Sequence, residues 1–386
     1  MPGSFQSRQA RPRLPLVLAL ALACLIFAPA SALASNTFLG MLHTVSSLGT
    51  TVPENGDQNP YGIVTVPRSA GSLVQGDIII SNFNNEENLQ GTGTTIVQKS
   101  PAGALSLFAQ IDPKKLPGEC PGGVGLTTGL AILPDNYVVV GSLPSENGEA
   151  ATASAGCLIV LDPYGDPVAT ISGSLINGPW DLTAAQGPRG LTALFVSNVL
   201  NGTVEHGTTP TDEGTVLRID LSTPPAPPEA PPGHPPMPLA PAPKVVSEQV
   251  IATGFPEVTN KTTFVVGPTG VGLSPQGVLY VADTFDNRIA AVQSATTRTT
   301  AAVDGSTVSS GGHLDSPLGL TVERDGNILT TNGGDGNIVE TAPGGSQLAT
   351  AETEAGEGGL FGLALTLDGR GIYFVDDANN TLGLLH

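Results

Sequence analysis

Short apolar runs alternate with turn residues along most of the chain. The runs at residues 78–80 and 137–140 are rich in β-branched residues, and turn pairs such as Pro134-Asp135 and Asp325-Gly326 separate such runs. Apolar, β-branched runs of this length that end in turn residues are typical of strands. The pattern therefore predicts an all-β protein built from many short strands joined in hairpins.

A four-residue apolar phrase with Gly or Asp at its third position recurs along the sequence, and each copy opens a predicted strand. The six copies are residues 60–63, 127–130, 179–182, 268–271, 317–320 and 360–363. We call the Gly or Asp of each copy its marker residue. A unit of three or four short strands cannot bury both of its faces alone, so the units must stack around an axis. The repeats predict a six-bladed β-propeller.

The two ends of the chain are expected to complete one blade together. The last copy runs out at His386 before a fourth strand can form, and residues 37–45 have no blade of their own. Pairing of this N-terminal strand with the last blade would remove an exposed strand edge. Residues 35–386 are therefore predicted to form a single closed propeller.

Residues 224–243 are dominated by proline and interrupt the third blade. Extended polyproline geometry is the regular conformation available to such a sequence. We interpret the segment as a surface insertion, and docking of a proline-recognising partner is the alternative.

The first 34 residues have the composition of a secretory signal peptide. Arg8, Arg11 and Arg13 precede an apolar run at 14–27, and small residues close the segment at 32–34. The run is shorter than the ~20 residues that a membrane-spanning helix needs. A secreted or periplasmic protein that begins near Ser35 is predicted, and a lipoprotein signal that ends at Cys24 is the alternative.

Charge narrows the classes of partner. The chain has 34 Asp and Glu against 15 Lys and Arg, a net charge of −19. Such a surface repels phosphate backbones and anionic lipids, so we expect no nucleic-acid partner and no stable membrane insertion. The expected partner is a protein or a small molecule of unknown identity, bound by a monomer.

Export leaves two cysteines, Cys120 and Cys157, in an oxidising compartment. They are an even pair with no third thiol to compete, which favours one disulfide. Two unrelated buried thiols are the alternative.

One blade carries a distinctive phrase, GVLYVADT at residues 277–284, followed by DNRI at 286–289. It resembles the NHL-repeat propellers and the related gluconolactonase and senescence-marker-protein superfamily. The resemblance implies the six-bladed fold. It leaves function open, because such propellers serve as binding scaffolds, hydrolases and lyases, and the lactonase-like relatives hold a divalent metal in the channel.

Six small polar residues end the second predicted strand of each blade and fall at equivalent places around the ring. They are Asn82, Ser142, Asn198, Asp283, Asn332 and Asp377. If they face the axis, they form an oxygen-rich collar at the channel mouth, where Asn198, Asp283 and Asp377 could bind Ca²⁺ or another divalent cation. The alternative is that these side chains accept hydrogen bonds from the turns that follow.

Two further residues are candidates for the same mouth. Trp180 opens an inner strand, where it either stacks on a ligand or packs between blades. His313 precedes the fifth blade, where it either faces the channel or lies in an exposed loop beside Gly311 and Gly312.

The residues that precede the markers weigh against catalysis. The hydrolase relatives carry a metal-binding Glu there, whereas this chain has Tyr61, Thr128, Trp180, Thr269, Leu318 and Phe361. No paired acid and base is evident, so the catalytic residues are unknown, and no cofactor is certain apart from the divalent cation that the channel could hold. The sequence favours a secreted ligand- or protein-binding scaffold. The alternative is a metal-dependent, lactonase-like hydrolase or lyase with its site at the channel mouth.

Overall fold

The structure is a computed structural model that describes residues 37–223 and 241–386. The predicted signal peptide, Cys24 and most of the proline-rich segment lie outside the described residues. The described chain forms six sheets, five of four strands and one of six, and the strands are antiparallel except for one short parallel pair in the six-stranded sheet. Each sheet is one blade.

The strands follow one another in chain order from the inside of each blade to its outside, except that the first strand, β1 (Val45–Thr50), belongs to the last blade. Blade 1 contains β2 (Gln58–Thr65), β3 (Ile78–Asn84), β4 (Thr95–Lys99) and β5 (Leu105–Gln110). Blade 2 contains β6 (Leu126–Ile132), β7 (Val138–Ser142), β8 (Cys157–Leu161) and β9 (Pro167–Ile171). Blade 3 contains β10 (Pro179–Gln186), β11 (Thr192–Asn198), β12 (Thr211–Ser222), β13 (Lys244–Asn260) and β14 (Phe264–Val266).

The second half of the ring has the same plan. Blade 4 contains β15 (Pro268–Leu273), β16 (Leu279–Asp283), β17 (Arg288–Val292) and β19 (Ser306–Ser310), while β18 (Ala302–Val303) pairs with β13 of blade 3. Blade 5 contains β20 (Pro317–Val322), β21 (Ile328–Asn332), β22 (Asn337–Thr341) and β23 (Gln347–Glu352). Blade 6 contains β24 (Leu360–Leu365), β25 (Ile372–Asp376), β26 (Thr381–Leu385) and β1.

Helical structure in the described residues is confined to single turns between strands. They are Leu39–Met41, Pro113–Lys115, Ala150–Thr152, Pro188–Gly190 and Thr203–His206. No helix among the described residues is long and apolar enough to cross a membrane.

The six inner strands form a closed ring. Each contacts the inner strand of the next blade, in the order β2, β6, β10, β15, β20, β24 and back to β2. Apolar clusters fill the spaces between neighbouring blades; between blades 1 and 2, for example, Ile79 and Phe108 pack with Val140 and Ile159. This arrangement confirms the predicted six-bladed propeller.

An N-terminal strand closes the ring, as predicted, but it lies at Val45–Thr50 and shares only Val45 with the residues 37–45 expected to form it. β1 pairs with β26, with Val45 opposite Leu385. Thr44 and His386 exchange two backbone hydrogen bonds of 2.9 Å. The buried ammonium of Lys99 in blade 1 donates to the carbonyl of Thr50 at 2.8 Å, so the closing strand is also held by the neighbouring blade.

The recurring phrase has a structural cause. In every blade the pairing between first and second strand shifts register around the marker residue. Adjacent inner strands approach closely there: a Cβ at Gly270 would lie 2.3 Å from the carbonyl oxygen of Leu318, and one at Gly362 would lie 2.3 Å from that of Tyr61. Glycine at these markers therefore permits the ring to close around its axis.

Cys120 and Cys157 form a disulfide, so the predicted pairing is present. It connects the loop that enters blade 2 to β8 of the same blade. The two strands that flank the proline-rich segment pair with each other, with Ser222 opposite Lys244.

Candidate functional site: the central channel

The six inner strands enclose a cavity of about 350 Å³, and residues of all six blades line it. Each inner strand pairs with the second strand of its blade on one side only. The peptide N–H and C=O groups of its other edge therefore face the axis. Aliphatic side chains such as Val64, Leu320 and Leu363 complete the wall. The channel can thus contact both apolar groups and hydrogen-bonding groups of a small molecule.

An aromatic cluster covers one end of the cavity. We define the aromatic cover as Tyr61, Phe83, Trp180, Phe264 and Phe361. The Tyr61 ring lies 5.6 Å from that of Trp180, edge to face, and 4.1 Å from that of Phe361, between centroids. Phe83 contacts both Tyr61 and Phe264, each at 5.6 Å. Phe264 begins β14, so the β13–β14 hairpin supplies part of the cover.

Trp180 packs against other rings, and its stacking on a ligand stays a prediction. Its ring packs in the aromatic cover and is only 3% exposed, while the residue also lines the cavity. A ligand in the channel would therefore lie against the single tryptophan of the chain.

Asp181 places a carboxyl group in the wall of the cavity. It is the marker residue of blade 3, where the other five blades have glycine. Its Oδ1 accepts the N–H of Leu182 and its Oδ2 accepts the N–H of Val271 in blade 4, both at 2.8 Å. Burial raises the pKa of Asp181 to about 7, against the opposing effect of these two hydrogen bonds.

Asp181 is the only carboxylic acid among the described residues that line this cavity. Asp181 is not among the site residues predicted from the sequence. The signal was present nonetheless, because an ionisable residue replaces glycine at one of six equivalent positions.

A second concavity adjoins the channel at the end opposite the aromatic cover. Leu273 and Val322 line both the channel and a neighbouring concavity of about 560 Å³, to which Glu323 and Arg324 also contribute. Burial raises the pKa of Glu323 to about 8, and the negative charges of Glu340 and Asp325 reinforce this shift. The sequence pattern carried no signal for this residue.

The predicted collar residues lie outside the cavity wall. Asn198, Asp283 and Asn332 pair with the opening residues of their inner strands, and Ser142 pairs with Leu126. Asn82 pairs with Pro60, the third residue of β2. In the last blade Asp376, not Asp377, occupies the equivalent position opposite Leu360. Since neighbouring residues of a strand point to opposite faces, Asp377 does not share the direction of the other five.

Most collar side chains bond to nearby turns and strands. Asn82 donates to the carbonyl of Thr51 at 3.2 Å, and Asn198 accepts the N–H of Asn177 at 3.2 Å. The amide of Asn332 donates to the carbonyl of His313 at 2.7 Å.

Ser142 also bonds to a nearby loop, whereas His313 is exposed to solvent. Ser142 donates to the carbonyl of Gly123 at 2.9 Å. His313 is exposed, and its backbone N–H donates to Gln347. The ligand-binding roles assigned to the collar residues and His313 stay predictions.

Asp377 lies close to the aromatic cover. Burial raises the pKa of Tyr61 well above the ordinary value, and the negative charge of Asp377 adds to the shift. Burial raises the pKa of Asp377 itself to about 7, and the charge of Asp376 adds to the shift.

Asp283 belongs to an acidic triad in blade 4 whose spacing could hold a metal ion. Carboxylate oxygens of Asp283, Asp286 and Asp304 lie within 4.8 Å of one another. The guanidinium of Arg288 lies among them, with Nε 2.8 Å from Asp283 Oδ2 and Nη2 bonded to Asp304. Burial raises the pKa of Asp283 to about 6 despite this ion pair. A cation at the triad would have to compete with Arg288.

The described side chains that precede the markers supply no carboxylate for a divalent metal. Ca²⁺ and Mg²⁺ take carboxylate, amide and carbonyl oxygens. The described side chains that precede the markers are Tyr61, Trp180, Thr269, Leu318 and Phe361, and the Thr269 hydroxyl is already bonded to Thr284 at 2.6 Å. The aromatic cover therefore occupies the place where the lactonase-like resemblance would put a metal.

Solved structures of similar fold include a gluconolactonase from Xanthomonas campestris, 15% identical with a TM-score of 0.52 over 88% of each chain. A calcium-binding protein, regucalcin, from Agrobacterium tumefaciens is 16% identical, with a TM-score of 0.50 over 87% of this chain and 92% of that one. A luciferin-regenerating enzyme is 10% identical, with a TM-score of 0.52 over 89% of this chain and 94% of that one. No protein-family model matches the sequence, and no curated protein matches it significantly. The chain has the six-bladed fold of gluconolactonase and regucalcin, and at these identities the likeness extends to the fold alone.

Proposed function

We propose that this protein binds a small organic molecule in its central channel and does not itself transform it. The observation that carries the proposal is the cavity of about 350 Å³ whose wall combines aliphatic side chains, free strand edges and one carboxyl group, Asp181. Ligand sites in proteins are concave and mostly apolar, with a few polar groups that orient the ligand.

The ligand class follows from Asp181. Both of its oxygens already accept one peptide N–H. Each carboxylate oxygen has a second lone pair, so a ligand hydroxyl or ammonium group can donate to it. The net charge of −19 also attracts cations. A small amine or alcohol with an apolar body satisfies both parts of the wall.

The arrangement of acids supports binding rather than catalysis. General acid–base chemistry needs two proton-transfer groups within reach of one substrate. Asp181 is in the channel wall, whereas Glu323 lines the concavity beyond its far end. Tyr61 has a pKa well above its ordinary value and keeps its proton at neutral pH. A lactonase-like hydrolase or lyase remains the second candidate, favoured only by the fold.

Calorimetry and a hydrolysis assay distinguish the binding function from the lactonase-like activity. Isothermal titration with cyclohexylamine and cyclohexanol should give saturable binding at pH 8, and it should weaken in Asp181→Ala. Hydrolysis of δ-valerolactone and gluconolactone, followed by pH-stat with and without Ca²⁺, Mg²⁺ or Zn²⁺, should not exceed the rate without protein. Metal-dependent turnover that is lost in Asp181→Ala or Asp283→Ala would replace the binding function with the enzymatic one.

We also propose that the protein acts as a monomer after export. The disulfide supports this location, since such bonds persist in oxidising compartments. Intact-mass measurement of the exported protein should give a chain that begins near Ser35. A retained Met1, or a lipid on Cys24, would contradict it.

A further inference from the structure

A second group of carboxylates lies in blade 3, beside the aromatic cover and away from the cavity wall. Glu257 is on β13 and is fully buried, with 0% exposure. Neither of its carboxylate oxygens has a hydrogen-bond partner. The N–H of Asn201 is near enough to lower its pKa somewhat, yet burial and the charge of Glu213 raise that pKa to about 8. Without a cation this carboxyl group keeps its proton at neutral pH, and its ionised form is favoured only where a positive charge accompanies it.

Two hydroxyl groups on the adjoining elements are also buried without partners. They belong to Thr203, the first residue of the short helix, and to Thr211, which stands directly opposite Glu257 in the strand pair β12–β13. The short helix packs against both β12 and β13. The short helix, β12 and β13 thus contribute four oxygen atoms that have no hydrogen-bond partner.

Glu213 supplies a second carboxylate from the solvent side. It is exposed on β12, and a Cβ at Gly202 would lie 2.6 Å from its Oε2. Glycine at residue 202 therefore makes room for this carboxylate against the turn that contains Asn201. Among the described residues, no Lys or Arg forms a salt bridge with Glu213 or Glu257.

We propose that Glu257 and Glu213 bind a Ca²⁺ ion, with the hydroxyls of Thr203 and Thr211 as further oxygen donors. Ca²⁺ prefers oxygen ligands, accepts irregular geometry and is favoured where two carboxylates meet. An ion there would supply the positive charge that Glu257 lacks. The site is separate from the channel and from the triad around Arg288.

The position of the site gives it a structural consequence. Glu257 is followed by the β13–β14 hairpin, which carries Phe264 into the aromatic cover. A Cβ at Gly267, just after this hairpin, would lie 3.1 Å from the Cβ of Glu257 and 2.9 Å from a Val199 methyl group in the same apolar cluster as Phe264. A bound ion therefore fixes the hairpin and stabilises the cover over the channel.

Thermal unfolding and Tb³⁺ luminescence test the proposal with the full exported chain. Ca²⁺ should raise the melting temperature of the wild type and displace Tb³⁺, whose emission is excited through Trp180. Glu213→Gln should weaken Ca²⁺ binding by about tenfold or more, and Glu257→Gln should abolish both responses. Glu248→Gln, an exposed change on the same strand, is the matched control and should behave like the wild type.

Two results would overturn the proposal. One is a melting temperature and Tb³⁺ emission that do not respond to millimolar Ca²⁺. The other is a response that persists in Glu213→Gln and Glu257→Gln but is lost in Asp304→Asn, which would assign the ion to the triad. If Glu257→Gln does not fold, Glu213→Gln decides the question, because residue 213 is exposed.

Discussion

The carboxylate of Asp181 accepts the peptide N–H of Val271 at 2.8 Å and so joins the inner strands of blades 3 and 4. In the other blades the marker residue is glycine, and no side chain is available for such a bond. Asp181 therefore combines two roles at one place: it links neighbouring blades, and it brings an acid into the channel.

Replacing Asp181 with alanine should destabilise the ring. The change leaves the N–H groups of Leu182 and Val271 without their acceptors inside the protein. Loss of such partners costs about 1 to 3 kcal/mol. Chemical denaturation at pH 6.5 should show this loss, and Asp212→Ala, at an exposed position of β12, should change stability little. Equal stability of the two variants would contradict the linking role.

Removal of residues 35–48 should open the ring. The deletion takes away most of β1 and Leu39, which is buried and whose N–H donates to Glu340 at 2.7 Å. The exposed edge of β26 then becomes available to pair with other chains. We expect aggregation or a large fall in melting temperature, measured by light scattering and calorimetry. A truncated protein that melts like the full chain would show that closure is not needed.

Reduction of the disulfide should loosen blade 2. The bond closes a loop between residues 37 positions apart, and loops of this size are stabilised by about 2 to 4 kcal/mol. Chemical denaturation with and without reductant should show a fall of this order. Alkylation under denaturing, non-reducing conditions should find both cysteines protected. Two free thiols under these conditions would contradict the bond.

Stability should depend on pH through Glu323. Its pKa is raised from 4.5 to about 8 in the folded protein, so the folded state holds this proton while the unfolded state has released it. The free energy of unfolding therefore decreases as pH rises from about 4.5 to 8. The free energy of unfolding should fall less between pH 5 and pH 8 in Glu323→Gln than in the wild type, by about 1 to 2 kcal/mol. Glu354→Gln, an exposed control, should leave the slope unchanged.

Much of the architecture could be predicted from sequence because it is repeated. A marker residue recurs once in each inner strand, as glycine in five blades and as Asp181 in blade 3, so the number of blades follows from counting the markers. Closure by the N-terminal segment could be predicted because residues 37–45 had no other place in the repeat, although the strand itself lies at Val45–Thr50. The disulfide could be predicted because Cys120 and Cys157 had no competing thiol.

The site was less predictable, since direction and register are not visible in the pattern. A difference of one residue distinguishes Asp376 from Asp377, and it reverses the face on which the side chain lies. The aromatic cover assembles residues far apart in sequence, among them Phe83 and Phe264. Glu257 stands between Pro256 and Val258 in a strand, and nothing in this local pattern predicts that its side chain is fully buried.

Fluorescence of Trp180 tests the channel as a binding site most directly, because this single tryptophan lines the cavity. Titration with cyclohexylamine at pH 8, where Asp181 is mostly ionised, should give a saturable change in emission, and binding should weaken at pH 5.5. Thr183→Phe and Thr321→Phe, which fill the cavity wall, should abolish the change, whereas Thr299→Phe on the surface should preserve it. No saturable change in the wild type, or an equal change in the filled variants, would contradict ligand binding in the channel.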